Sequence, residues 1–287
     1  MADTRIGISG WTYAGWRGTF YPPGLPHRKE LEFASREVNS IEINGSFYSL
    51  QRPSSYKAWY AATPEDFIFS VKASRYITHL TRLTDLGEPL SNFFASGVLL
   101  LREKLGPFLW QFPPSMKYDR DRFSRFLDVL PRDTRAAAKM ARRHSPWMKE
   151  RAHVRAEEDR PLRHAIEIRN ERFRTGDFIE LLKNQDISLV IADSAGKWPQ
   201  IEEITGPIVY IRLHGAEELY ASGYDSASLD RWEEKIRNWR RARSRATRDV
   251  FVYFDNDAKV RAPFDAISLL KRLTKFHPLH PVELKAA

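Results

Sequence analysis

Eight short segments rich in β-branched and aromatic residues recur along the chain, separated by longer segments with helical periodicity. Most of the short segments are apolar almost throughout, which is typical of strands that are covered on both faces. The predicted strands are residues 5–9, 38–43, 67–72, 107–112, 164–168, 187–192, 208–213 and 250–254. This alternation predicts parallel strands joined by helical crossovers.

The segments between the strands carry apolar residues at the i, i+3, i+4 spacing of a helix that buries one face. Predicted helices lie within residues 29–37, 54–62, 90–101, 123–130, 178–182, 229–239 and 267–273, with a single turn at 199–204. Eight strand–helix units predict an α/β protein with a closed, TIM-barrel-like (β/α)8 fold. A doubly wound open sheet is the alternative, but Ser9-Gly10-Trp11 stands where that fold has a glycine-rich phosphate turn.

The positive charge of the chain is concentrated in two segments. Residues 135–163 carry nine Lys or Arg against four Asp or Glu, and residues 230–248 carry eight against three. The first segment interrupts the unit between strands four and five, and we expect a basic helical insertion packed outside the barrel. Because no internal repeat or low-complexity linker is found, residues 1–287 are predicted to form one domain.

The second basic segment predicts a helix with apolar residues on its inner face and Arg237, Arg240, Arg241, Arg243 and Arg245 on its exposed side. Such a run is either a solvated face or a contact for the phosphate backbone of a nucleic acid.

Several classes of protein are excluded by composition. The chain has no Cys, which excludes thiol catalysis, thiolate metal sites and disulfides. The longest uncharged apolar run, residues 93–101, is too short to span a bilayer, and the N-terminal segment lacks the apolar core of a signal peptide. We therefore expect a cytoplasmic protein without a membrane partner.

Polar and aromatic residues gather at the carboxyl ends of the predicted strands, where barrels of this type bind ligands. They are Trp11, Tyr13, Glu42, Asn44, Tyr48, Lys72, Gln111, Glu167, Arg169, Asp193, Arg212, His214, Tyr253 and Asn256. Since polar residues are scarce elsewhere in these strands, the pattern predicts a ligand site. The alternative is that the charged members pair only with one another, because an unpaired buried charge costs several kcal/mol.

Two carboxylates, Glu42 and Glu167, come from strands two and five and are the candidate acid–base pair, with Lys72 and His214 as further catalytic candidates. Lys72 and His214, together with Arg169 and Arg212, also predict an anion pocket, because guanidinium groups suit phosphate or carboxylate. The remaining strand-end residues are expected to contact the ligand.

Only one His, His214, lies at a predicted strand end, which is too few for a zinc site. Glu167 and Asp193 could join it around a hard divalent ion, but metal binding is the less favoured interpretation. The chain also has no P-loop, nucleophile elbow or dinucleotide fingerprint. No metal ion or cofactor is therefore required by the sequence.

At the strand-end residues described above, the chain resembles the YecE-like family, a domain of unknown function numbered 72. The matching stretches run in order along nearly the whole chain: IGISGW (6–11), NSIEINGSFY (39–48), FSVK (69–72), LGP (105–107), QFPP (111–114), EIR (167–169), RLHG (212–215) and YFDND (253–257). The resemblance implies a TIM-barrel-like fold and brings no established reaction.

Three hypotheses of function follow. The first is an enzyme that acts on a phosphate-bearing or nucleic-acid-derived substrate by acid–base chemistry of Glu167 and Glu42. The second is a non-catalytic nucleic-acid-binding protein that uses the Arg-rich surface helices. The third is a carbohydrate-active barrel that uses both carboxylates.

Overall fold

Within residues 3–240 and 247–275, which the computed structural model describes, eight parallel strands are hydrogen-bonded in sequence order. The last strand pairs with the first and closes the barrel. The strands are β1 (Thr4–Ser9), β2 (Ser40–Ile43), β3 (Ile68–Lys72), β4 (Leu105–Gln111), β5 (His164–Glu167), β6 (Ser188–Asp193), β7 (Ile208–Leu213) and β8 (Asp249–Phe254). The predicted closed α/β barrel is confirmed, with each strand boundary within two residues of its prediction.

Nine α-helices in the described part of the chain cover the barrel. They are α1 (Glu30–Glu37), α2 (Gly45–Tyr48), α3 (Pro53–Ala62), α4 (Gly87–Ala95), α5 (Arg120–Val129), α6 (Thr134–Ala141), α7 (Gly176–Asn184), α8 (Ser226–Arg240) and α9 (Ala262–Leu273). Side-chain caps set several of the starts. Asp119, Asp133 and Thr175 each accept a hydrogen bond from a backbone N–H in the first turn of α5, α6 and α7.

The single helix predicted over residues 90–101 is divided in the structure. Helix α4 ends at Ala95, and tighter 3-10 turns follow over Val98–Lys104. Gly97, between them, has φ of 108°, and a Cβ there would lie 2.6 Å from the Cα of Pro53. The prediction was wrong because helical periodicity does not register a left-handed residue packed against a neighbouring helix.

Two other connections differ from their predictions. The single turn predicted at 199–204 is irregular backbone, bounded by Pro199 and Pro207, so β6 and β7 are joined without a helix in this segment. The basic insertion is helical only in part: α6 and a 3-10 segment, Pro146–Arg151, precede irregular backbone that leads into β5. The insertion does lie outside the barrel, because α6 contacts α4 and His153 N–H donates to Ala95 O at 2.7 Å.

The inner face of the barrel is layered. An apolar and aromatic layer includes Tyr210 and Tyr253, whose hydroxyls lie 2.7 Å from the hydroxyls of Ser70 and Ser40 across the barrel. Because side chains alternate along a strand, the next inward residues toward the carboxyl ends include the charged Glu42, Lys72, Glu167 and Arg212. Arg212 is two residues beyond Tyr210, and this charged layer supports the candidate site.

Among the described residues, no helix combines the length and the apolar composition needed to cross a membrane.

We expect Gly97→Ala to destabilise the fold by about 1–3 kcal/mol, because the new Cβ meets backbone atoms of Pro53 and the residue keeps a left-handed φ. Gly176→Ala is the matched control, since a Cβ at this position of α7 meets no atom within 4 Å. Urea unfolding of both variants measures the effect. Equal stability of the two variants would contradict the steric argument.

Candidate functional site

Arg212 lies at the centre of the carboxyl end of the barrel, fully buried, and its guanidinium contacts three carboxylates. Its Nη2 donates to Glu42 Oε1 and to Asp255 Oδ2, both at 2.9 Å, and its Nη1 donates to Glu167 Oε2 at 2.7 Å. The three acids come from β2, β5 and the residue after β8. We call these four residues the Arg212 cluster.

Both predicted acid–base carboxylates are held firmly in this cluster. Glu42 also accepts from Tyr210 Oη at 2.6 Å and from the Ser9 hydroxyl. Glu167 accepts from Arg169 Nε at 2.7 Å. Burial alone would raise the pKa of Glu167, but Arg169 and Arg212 outweigh it and hold the pKa well below its usual value. Glu167 therefore stays ionised in the folded protein.

A cavity of about 780 Å³ opens above the Arg212 cluster, a volume in the range of small-molecule sites. It brings together six of the predicted site residues, namely Tyr13, Asn44, Tyr48, Lys72, Gln111 and Arg169. Its lining also includes Phe47, Arg75, His79, Leu80, Tyr220, Asp255, Asp257 and Ala258.

The lining includes Arg75, His79 and Asp257, which are not among the site residues predicted from the sequence. Arg75 and Asp257 each follow the end of a strand by three residues, so attention to every loop after a strand could have found them. His79 lies in a π-helical turn, Tyr76–Leu80, and its direction depends on that turn.

The other predicted site residues lie outside this lining in the described structure: Trp11, Glu42, Glu167, Asp193, Arg212, His214, Tyr253 and Asn256. Glu42, Glu167 and Arg212 are fully buried beneath the cavity. His214 is buried beside them, with Nδ1 3.0 Å from Asp255 Oδ2 but without the alignment of a hydrogen bond. Burial, with Arg212 nearby, lowers the pKa of His214 and favours its neutral form.

Four of the predicted residues point toward other parts of the fold. Trp11 packs edge-on against Trp59, with ring centroids 5.3 Å apart. Asp193 accepts from Tyr224 Oη at 3.2 Å and lines a separate cavity beside α8. The Tyr253 hydroxyl contacts Ser40 inside the barrel. Asn256 Nδ2 donates to Asp265 Oδ2 at 2.8 Å, on the side of α9.

Two buried side chains in the cavity lining have no polar partner among the described residues. Lys72 is 6% exposed, and its Nζ lies 4.4 Å from the centroid of the Phe47 ring without an acceptor or an ion-pair partner. Gln111, on the adjacent strand, is 4% exposed, and its side-chain amide likewise makes no hydrogen bond. The polar atoms of both side chains reach the open cavity and are not enclosed within the fold, so both are available to a ligand there.

Two lining groups titrate near neutral pH. Burial and the positive charge of Arg212 lower the pKa of Lys72 to about 8. Burial and the negative charge of Asp255 raise the pKa of Asp257 to about 6. By contrast, burial and nearby cations lower the pKa of His79 to about 4, so His79 is neutral at pH 7. Lys72 and Asp257 are the groups best matched to proton transfer there.

Arg169 is a preorganised cation at the cavity wall. Its guanidinium carbon lies 3.6 Å from the centroid of the Trp198 ring, and Nε is bonded to Glu167. The two terminal nitrogens have no partner within the described ranges, so both are available to an anion.

Some of the cations in the two basic segments form ion pairs. In the insertion, Arg160 pairs with Glu158 at 2.6 Å and Arg163 pairs with Asp249. In α8, Arg237 pairs with Glu233 at 2.7 Å. The predicted outward arginines Arg241, Arg243 and Arg245 lie outside the described residues.

Comparison with known proteins places these features in a family context. The family described as "Protein of unknown function DUF72" matches residues 5–285. UPF0759 protein YunF of Bacillus subtilis (strain 168) is 25% identical over 286 aligned residues, covering 88% of each protein. A solved DUF72 family protein from Thermotoga maritima has a TM-score of 0.73 and 23% identity, covering 94% of this chain and 99% of that chain. Another, from Enterococcus faecalis, has a TM-score of 0.69 and 20% identity, covering 98% and 100%.

Replacing Arg212, the cation of the Arg212 cluster, should lower the stability of the protein. We expect Arg212→Met to destabilise the protein at pH 7 by about 3–5 kcal/mol, because it leaves three buried carboxylates without their shared partner. The loss should shrink as the pH falls from 7 to 5, since buried carboxyls without the guanidinium protonate more easily. Urea unfolding across this range measures it, with the exposed Arg174→Met as control. A constant loss across the pH range would contradict the electrostatic cause.

Replacing Lys72 should instead stabilise the protein. We expect Lys72→Met to raise the free energy of unfolding at pH 7 by about 1–3 kcal/mol, because the buried ammonium has no partner. The folded-state pKa of Lys72 is lowered, so the penalty is complete below pH 8 and declines as the pH rises toward 10. The gain in the free energy of unfolding of Lys72→Met over wild type should therefore decrease between pH 8 and pH 10.

Thermal and urea unfolding between pH 7 and 10 test this, with the exposed Lys117→Met as control. A Lys72→Met variant less stable than wild type at pH 7 would show that Lys72 stabilises the fold.

Proposed function

The chain belongs to the DUF72 family, whose function is unknown, and we propose that its cavity binds a small anionic molecule and performs acid–base chemistry on it. The ligand class is a phosphate-bearing or nucleic-acid-derived compound. The observation that carries the proposal is that Lys72 and Gln111, both with little exposed surface, present side-chain polar atoms to the cavity without a protein partner among the described residues. A ligand in the cavity could bond to both.

The charge of the lining favours an anion. Lys72, Arg75 and Arg169 bring three cations, and among the described residues neither Lys72 nor Arg75 has a carboxylate within salt-bridge distance. Of the two lining carboxylates, Asp255 is already bound by Arg212. A phosphate or carboxylate group on the ligand would therefore meet free guanidinium and ammonium donors.

In this proposal, proton transfer belongs to Lys72 and Asp257 rather than to Glu42 and Glu167. The two glutamates accept hydrogen bonds within the Arg212 cluster and lie outside the lining of the cavity. Lys72 and Asp257 line the cavity, and burial brings their pKa values to about 8 and about 6. Glu167 acts by holding Arg169 in position.

A small ligand is favoured over a nucleic-acid polymer. The cavity is concave and of small-molecule size, and the cations Lys72, Arg75 and Arg169 line it.

Inorganic phosphate is the direct probe of the anion site. We expect Arg169→Met to weaken phosphate binding at least tenfold, because two free guanidinium nitrogens are lost from a largely buried position. Isothermal titration calorimetry at low ionic strength measures the effect. Arg172→Met is the matched control, because Arg172 is exposed on the same loop and does not line the cavity.

Equal loss of affinity in both variants would assign the effect to general surface charge. Wild-type protein that does not bind phosphate, AMP or ribose 5-phosphate would overturn the proposed anion site.

A further inference from the structure

Lys72 is the only amine among the three cations that line the cavity in the described structure, the other two being Arg75 and Arg169. This difference restricts the class of substrate. We infer that Lys72 is a nucleophile that forms an imine with the carbonyl carbon of an anionic aldehyde or ketone. This inference rests on the proposed function, because the same cavity must hold the anionic group of the substrate.

The position of Lys72 suits a nucleophile. It is the last residue of β3, so it lies at the carboxyl end of the barrel, where the cavity opens. Its side chain is almost fully buried, with the Phe47 ring 4.4 Å from Nζ, and it makes no hydrogen bond within the described part of the chain. When it is deprotonated, an amine held in this way has a lone pair that no protein donor engages.

The surroundings of Lys72 favour the neutral amine. Burial and Arg212 lower its pKa to about 8, whereas an ordinary lysine has a pKa of 10.5. At pH 7 roughly a tenth of Lys72 is then neutral, on the order of 300 times more than for an ordinary lysine. Arg75 and Arg169 can bind an anion, but a guanidinium group does not attack a carbonyl carbon.

Neighbouring groups complete the chemistry. The neutral amine attacks the carbonyl carbon, the C–O π electrons move to oxygen, and a proton passes from nitrogen to oxygen to give a carbinolamine. Gln111, on the adjacent strand, can donate its free amide N–H to that oxygen. Asp257, with a pKa raised to about 6, can supply the proton with which the hydroxyl leaves as water, which gives an iminium ion, and the Asp257 carboxylate then takes the iminium proton back. The sum is amine plus carbonyl giving imine plus water, with no redox change.

The remaining cations define the rest of the substrate. Arg169 has two free terminal nitrogens and Arg75 has no ion-pair partner among the described residues, and both line the cavity with Lys72. They suit a phosphate or carboxylate carried on the same molecule as the carbonyl group. The substrate class is therefore a phosphorylated or carboxylated aldehyde or ketone, such as a small sugar phosphate.

Reductive trapping tests the inference on the full-length protein. Glyceraldehyde 3-phosphate is the probe, uncharged glyceraldehyde is its matched comparison, and sodium borohydride reduces any imine to a stable secondary amine. We expect one adduct per chain, located at Lys72 by peptide mass spectrometry. The phosphorylated aldehyde should react at least tenfold faster than glyceraldehyde. Lys72→Arg should lose the adduct, and Lys117→Arg, which removes an exposed lysine outside the cavity, should keep it.

The pH dependence adds a second readout. Labelling of Lys72 should be half-maximal near pH 8 and level off by about pH 9, whereas labelling of a lysine with the ordinary pKa of 10.5 continues to rise toward pH 10. Circular dichroism establishes that Lys72→Arg is folded, and Lys72→Met, which also lacks the amine, serves if it is not.

Adducts spread over surface lysines with Lys72 unmodified, or equal labelling of wild type and Lys72→Arg, would overturn the imine. If inorganic phosphate binds while Lys72 stays unlabelled, the imine alone is overturned and the proposed anion site stands. If neither is observed, both proposals are overturned.

Discussion

The carboxyl-terminal half of the barrel depends on one interaction, the contact of a buried guanidinium with three buried carboxylates. Arg212 is fully buried and bonded to Glu42, Glu167 and Asp255 at 2.7–2.9 Å. Isolated charges at such depth would cost several kcal/mol each, and the planar fork of arginine can offset that cost for several partners at once. Because the three acids come from β2, β5 and the end of β8, the cluster joins strands from different sides of the barrel.

The same cluster divides the charged residues into two groups with different roles. The residues of the Arg212 cluster pair with one another and form the floor of the cavity. The charges of their carboxylates are therefore balanced without a ligand. Lys72 and Gln111 are left at the cavity surface without a protein partner, while Arg169 is fixed by Glu167 and Trp198. Natural proteins retain destabilising features of this kind at functional sites, where stability is lost for the sake of binding or chemistry. This contrast supports the assignment of function to Lys72 rather than to the two glutamates.

The charged layer follows from a two-residue period in the strands. Ser40 and Glu42 in β2, Ser70 and Lys72 in β3, and Tyr210 and Arg212 in β7 all face inward, while the apolar residues between them face the helices. The largely apolar composition of these strands predicted burial on both faces, and only the strand ends indicated the site. Since alternate side chains of a strand point to opposite faces, the period itself indicates which polar residues enter the barrel. It also explains why Asp255 lines the cavity while Asn256 bonds to α9.

The sequence by itself determined the eight strands, their parallel order and the gathering of polar residues at one end of the barrel, because hydrophobic periodicity and strand–helix alternation are local signals. Only the tertiary structure decided which of those polar residues satisfy one another and which face the cavity. Arg212 and Glu42 are separated by 170 residues in the chain, yet Arg212 Nη2 lies 2.9 Å from Glu42 Oε1. A sequence pattern does not give the distances between side chains across a closed barrel. It therefore cannot distinguish a cation that is paired with neighbouring carboxylates from one, such as Lys72, that has no protein partner and is available to a ligand.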